Sequence, residues 1–337
     1  MIEHKLVTFE KSIESFVYDD RFSGCVFITK GDQVFFQGSY GYASKAYKVP
    51  NQIDTQFNIG SVGKMFTGVA VAQLVEERKI DFEDPIDKYI SEEWLPQDLC
   101  KHIQVRHLLS HTSGLDDYFE ALYAEPHTSI FRDMEDYRPL LSRLKCQFSP
   151  VASWAYCSAG YVLLGVLIEN VVDMSYFDYV QKYIFDRTEM EHSNFLDADI
   201  PVINRATGYY KDGETYRSNA VKPIQRGNPS GGCYSTVIDL NKFGSAILNH
   251  RLLSQELTEL VMSPKHELSS PFYGYGFFID DALRKIGHGG DGRGISAQFS
   301  IYQQQGYIVS VLSNYDPPAA GEVAKLFEKS FLVCQHT

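Results

Sequence analysis

The sequence predicts a mixed α/β (α+β) fold: one antiparallel sheet flanked by terminal helices, with a large, mainly helical region inserted between its strands. Three observations predict it. Segments whose apolar residues alternate with period two occur near both chain ends, and segments with helical spacing fill the middle. Strands so far apart in the chain satisfy their edges most simply by pairing with each other under the terminal helices.

Taken in order, residues from about Glu3 to Tyr18 carry apolar side chains at helical spacing. "SGCVFITKGDQVFFQGSYGYAS" then reads as two strands around a turn at Gly31 and Asp32. From Ser61, "SVGKMFTGVAVAQLVEERK" has a long helical pattern, and further helices are expected near "VRHLLSH", "AGYVLLGVLIENVV" and "SYFDYVQKYIF". Past "DLNKFGSAILNH" the period returns to two in "FYGYGFFID", "ISAQFSIY" and "YIVSVLSN", before a closing helix in "GEVAKLFEKSFLV". Residues 1–60 and 231–337 are therefore assigned to the sheet domain and 61–230 to the helical domain, with the active site between them.

With 337 residues, 44% of them hydrophobic and 22% charged, the chain has the composition of a body that buries a substantial core. Its 43 acidic and 31 basic side chains give a net charge of -12, which disfavours nucleic acid as a partner. No run of about 18 apolar residues provides a transmembrane segment, and the first residues lack the pattern of a secretory signal. The six cysteines are scattered without a C-x-x-C pair and read mostly as buried free thiols, which fits a cytoplasmic protein. Oligomeric state is not legible.

The stretch "FNIGSVGKMFTG" carries the chemistry. Ser61 and Lys64, three residues apart, share one face of a helix start, where a crowded and partly desolvated lysine loses its proton more easily and takes the proton of a serine. Free backbone N–H groups and the positive end of the dipole would stabilise an oxyanion there. The bland alternative is a serine cap followed by a solvated lysine.

Companion motifs decide between these: "HLLSHTSGL" (107 to 115), "YCSAGYVLLG" (156 to 165), "GGCYSTVIDLNKF" (231 to 243) and "GHGGDGRG" (287 to 294). In order and separation they resemble the serine β-lactamase-related family, which includes class C β-lactamases, penicillin-binding proteins, esterases and D-amino-acid peptidases. The resemblance, from about Phe22 to about Asn314, implies a β-lactamase/transpeptidase-like fold and a serine hydrolase acting through an acyl-enzyme on an ester, β-lactam or D-amino-acid peptide. It implies Ser61 as the acylated residue, Lys64 and Tyr156 as the proton-handling pair, and Ser158, His288, Gly289 and Gly290 as the substrate border. The N–H of Asp291 becomes the second oxyanion donor beside that of Ser61. A tyrosine near a cationic lysine has its phenolate favoured, so either Tyr156 or Lys64 serves as base. His288 is expected to bind a carboxylate or polarise the pocket.

Two positions depart from the family pattern. Ser158 stands where asparagine is common, and lacks the paired donor and acceptor of an amide. His288 stands where dedicated β-lactamases have lysine, which turns the expectation toward ester or small-peptide substrates. A ligand-binding or scaffold protein that keeps the fold without efficient chemistry is the alternative from another class, and Ser158 is the feature that points to it. No cofactor or metal is implied. His107 and His111 lie four apart, yet the glutamate of a metalloprotease helix is missing, so Gly114 and its neighbours read as a helix end. Gly231 and Gly232 read as a turn before a helix capped by Ser235 or Thr236. Tyr118, Phe119, Tyr123 and Phe131 are candidates for an aromatic rim, with ordinary packing as the plainer expectation.

Overall fold

Period-two alternation divides the strand residues into two sets, and in the computed structural model, which describes residues 2–119, 122 and 130–332, each set enters a different core. The six-stranded sheet contains β1 (Gly24–Lys30), β2 (Gln33–Tyr40), β3 (Phe278–Asp280), β4 (Lys285–Gly292), β5 (Ile295–Tyr302) and β6 (Tyr307–Ser313). They lie in the order β2-β1-β6-β5-β4-β3. Strands β1 and β6 pair antiparallel, with Gly24 opposite Ser313 and Lys30 opposite Tyr307, so the two ends of the chain meet at the centre. Every residue of β6 is buried because helices cover both faces of the sheet.

On one face, Cys25 and Phe27 of β1 and Ile308 and Leu312 of β6 join the larger core. Helices α2 (Lys64–Glu76), α3 (Ser158–Val172) and α4 (Val237–Leu248) contribute to the same cluster. The other face sends Val26, Ile28, Val309 and Val311 against α1 (Ile2–Tyr18) and α5 (Ala319–Phe327). Helix α1 buries only Phe9 and Ile13, as expected of an amphipathic cover. Helix α2 is buried at every residue from Lys64 to Leu74, so it is apolar nearly all round, with Lys64, Thr67 and Gln73 the exceptions. Its Phe66 meets Phe185 and Phe243 edge-on, at centroid distances of 5.1 and 4.9 Å.

Three local features differ from the sequence expectation. In "FYGYGFFID" only Phe278–Asp280 is a strand, because Gly276 adopts a positive φ of 95° and its backbone presses against that of Lys64. A hairpin of Tyr209–Asp212 and Thr215–Ser218 lies within the stretch read as mainly helical. The helix Val105–Leu109 gives way to a left-handed residue at His111, with φ 62°, before Gly114 takes its own left-handed turn at φ 82°. Thr236 caps α4 by accepting the N–H of Asp239, as expected. Among the described residues, no single helix is long and apolar enough to cross a membrane. Cys25, Cys157 and Cys233 are buried free thiols and Cys146 is an exposed one; Cys334, like Tyr123, lies outside the described residues.

Candidate active site

Ser61 sits where the chain turns from a short strand, Phe57–Asn58, into α2 through a 3-10 turn at Gly60–Gly63. Two glycines make that position possible. Gly60 has φ 51°, and a Cβ on it would lie 3.1 Å from the amide nitrogen of Asp291. A Cβ on Gly290 would lie 2.0 Å from the carbonyl oxygen of Ile59 and 3.1 Å from the amide nitrogen of Ser61. The turn and β4 therefore cross at bare backbone, bringing the amides of Ser61 and Asp291 to one place. Ser61 is not a helix cap: Gly63 precedes α2 and no side chain caps it.

Lys64 is not solvated either. It is 0% exposed, and its Nζ lies 3.3 Å from Ser61 Oγ, 3.3 Å from Ser158 Oγ and 2.6 Å from the carbonyl oxygen of Ser230. Loss of hydration pulls its pKa down to about 7, against the opposing pull of Asp117. The three contacts match three ammonium hydrogens. A neutral amine has two, which suit Ser158 and Ser230, and a lone pair left for the proton of Ser61.

Tyr156 approaches from the extended segment before α3, and its ring centroid lies 4.8 Å from Lys64 Nζ. The ring of His111 packs against it at 4.3 Å. A hydrogen bond with Ser61 favours the ionised phenol, but burial outweighs it and pushes the Tyr156 pKa up. The phenolate expected from the nearby lysine is therefore disfavoured, and the neutral amine is the better base.

Ser158, the first residue of α3, is 1% exposed and accepts from Lys64. His288 departs from expectation. It is 2% exposed, its Nδ1 lies 2.6 Å from the carbonyl oxygen of Gly289, and its Nε2 lies 3.0 Å from the Tyr273 hydroxyl. A carbonyl only accepts, so Nδ1 carries the proton and Nε2 accepts from Tyr273. Burial and the charge of Lys64 hold its pKa down to about 3. His288 thus presents no cation to a substrate carboxylate; it shapes β4 from behind. Gly289 is only partly buried, and a Cβ there would meet nothing closer than 3.5 Å.

The cleft in front of Ser61 has a volume of about 960 Å³. Phe119, Val221, Pro223, Ile224 and Ile295 give it an apolar wall, and Lys222 and Arg293 give it two cations. Gly231 and Gly232 line it as well, so the turn before α4 also borders the site; a Cβ on Gly231 would lie 2.3 Å from the Gly60 carbonyl oxygen. Tyr118 lines the cleft, whereas Phe131 is core.

Four contributors were not found from sequence: Asp117, His111 as the support of Tyr156, Tyr273 and the carbonyl of Ser230. Asp117 Oδ2 accepts the N–H of Ser158 at 2.5 Å, and burial raises its pKa. An acidic residue shortly after "HTSG" is its one signal in the sequence.

Comparison with known proteins identifies the family of the chain. A family model described as Beta-lactamase matches residues 9–330. The chain is 28% identical over 325 residues to penicillin-binding protein 4* of Bacillus subtilis (strain 168), covering 91% of this chain and 71% of that one. It is 26% identical over 313 residues to the teichoic acid D-alanine hydrolase of Staphylococcus aureus (strain MRSA252), covering 90% and 73%. A solved penicillin binding protein from Bacillus halodurans shares its fold with a TM-score of 0.86 at 30% identity, over 95% of this chain and 99% of the other. With the match running through nearly all of its length, the chain belongs to the β-lactamase family.

Proposed function

We propose that this serine hydrolase takes esters in preference to β-lactams, with Ser61 as nucleophile and neutral Lys64 as its base. Hydrolysis of an ester or amide through an acyl-enzyme follows from the family and its relatives. The observation that carries the residue assignment is the fully buried Lys64 amine 3.3 Å from Ser61 Oγ.

Ser61 Oγ attacks the carbonyl carbon and its proton passes to Lys64 Nζ. The amides of Ser61 and Asp291 hold the oxyanion. As the intermediate collapses, the neutral Tyr156 hydroxyl gives its proton to the departing alkoxide and is refilled from the Lys64 ammonium. Water then attacks the acyl carbon, its proton follows the same route in reverse, and Ser61 leaves reprotonated.

Two features favour esters. The Ser158 hydroxyl is buried against Lys64, so it offers a substrate amide no paired donor and acceptor. His288 is neutral and turned inward, so β4 lacks a fixed cation for a drug carboxylate. The apolar wall and the two cleft cations suit a substrate with a hydrocarbon portion and an anionic one. The D-alanine hydrolase relative makes D-alanyl substrates the first natural class to assay.

The test compares a short-chain p-nitrophenyl ester, a D-alanyl ester, a D-alanyl peptide and nitrocefin on wild type and Ser61→Ala. Ester turnover that vanishes in the variant, with nitrocefin far slower, is expected. Nitrocefin turnover matching the esters would end the ester preference, and activity retained by Ser61→Ala would move the nucleophile.

A further inference from the structure

The environment of Lys64 is short of negative charge. From β4 it faces His288, and from the segment after the helix Val105–Leu109 it faces His111; burial keeps both neutral. From the start of α3 it faces Tyr156, Cys157, Ser158 and Tyr161, whose phenols and thiol are all pushed up by burial and stay protonated. From the segment before α4 it meets only the Ser230 carbonyl. Asp291, on β4, acts electrostatically on Tyr156. The carboxylate that acts on Lys64 is Asp117, which is also bonded to the N–H of Ser158.

One side chain therefore does two things. Its oxygen fixes the first turn of α3, a helix of 15 residues whose dipole favours a negative charge at that end. That turn carries Ser158 Oγ, which receives the Lys64 hydrogen at 3.3 Å, and begins two residues after Tyr156. Its charge acts across the same gap on the amine.

We infer that Asp117 is a positioning residue: it anchors the start of α3 so that Ser158 and Tyr156 flank the amine of Lys64, and its charge sets how much of that amine is protonated at neutral pH. This inference rests on the reading of neutral Lys64 as base.

Asparagine keeps an oxygen for the Ser158 N–H and removes the charge, whereas alanine removes both. The acid limb of the pH profile of kcat/KM on a neutral p-nitrophenyl ester reports the ionisation of the base. Without a nearby anion the ammonium is less favoured, so the limb in Asp117→Asn moves to lower pH, by about one unit. In Asp117→Ala the same shift is accompanied by a further loss of kcat of about tenfold, as the flanking groups lose their anchor. A wild-type acid limb that Asp117→Asn leaves in place overturns the inference while leaving the base assignment intact. A wild-type profile that falls only on the alkaline side, as it would if the cation were required, overturns the base assignment and the inference with it. Should Asp117→Ala fail to fold, the asparagine variant alone decides.

Discussion

His288 Nε2 lies 3.0 Å from the hydroxyl of Tyr273, and this bond turns a candidate substrate ligand into a buried neutral prop behind β4. The consequence is measurable in stability. The folded pKa is held down to about 3, against 6.5 for the free side chain, so between these values the unfolded chain binds the extra proton. Stability attributable to this residue is unchanged above pH 6.5 and falls as pH drops from 6.5 toward 3. At pH 5 the loss is about 2 kcal/mol, and His111, also held neutral by burial, acts in the same direction. Urea midpoints at pH 7 and pH 5 should show a smaller difference in His288→Gln than in wild type; an equal difference would assign the loss to other groups.

Lys64 is a liability in the folded state. Lowering its pKa from 10.5 to about 7 costs on the order of 4 kcal/mol near neutral pH, whereas its three hydrogen bonds return about 1 kcal/mol each. Lys64→Met should therefore abolish turnover and yet leave the protein as stable as wild type or stabler by about 1–2 kcal/mol, a stability–activity trade-off. The advantage should grow as pH falls from 10 to 7, since the unfolded lysine remains charged there while the folded one resists it. Chemical denaturation at several pH values checks this, and a strongly destabilised variant would contradict it.

Gly290 tolerates no side chain. A Cβ on it meets the Ile59 carbonyl oxygen at 2.0 Å, so Gly290→Ala must part β4 from the turn carrying Ser61. Separating the two amides should lower kcat/KM by about 10²–10³-fold. The matched control is Gly321→Ala in α5, where a Cβ meets nothing within 4 Å; it should keep full activity and stabilise by about 0.5–1 kcal/mol. Comparable activity in the two variants would remove the amide pair from the mechanism.

The cleft cations predict selectivity. Among the described residues neither Lys222 nor Arg293 has an ion-pair partner, although both line the cleft. Replacing both with Gln should reduce kcat/KM about tenfold more for an ester bearing a terminal carboxylate than for its neutral analogue. The difference should shrink in high salt. Parallel losses on the two esters would show that these cations do not select substrate.

The pairing of Ser61 with Lys64 was legible because both lie within one helical turn, and the sheet was legible because alternation survives in β1, β5 and β6. The roles of His288 and Asp117 were not. A histidine in a glycine-rich strand reads the same whether it faces the cleft or Tyr273, and only tertiary packing chooses. Asp117 acts through a helix that begins at Ser158, a proximity no local pattern encodes. The truncation of the strand at "FYGYGFFID" was equally hidden, because Gly276 turns aside only where the backbone of Lys64 demands room.

The pairing of β1 with β6 also dictates when the protein comes alive. A nascent chain on the ribosome can pair β1 with β2 at once, but the opposite edge of β1 stays open until Tyr307–Ser313 have been synthesised. The pocket is therefore assembled last, and any translation product that stops short of Tyr307 would be both inert and prone to aggregate.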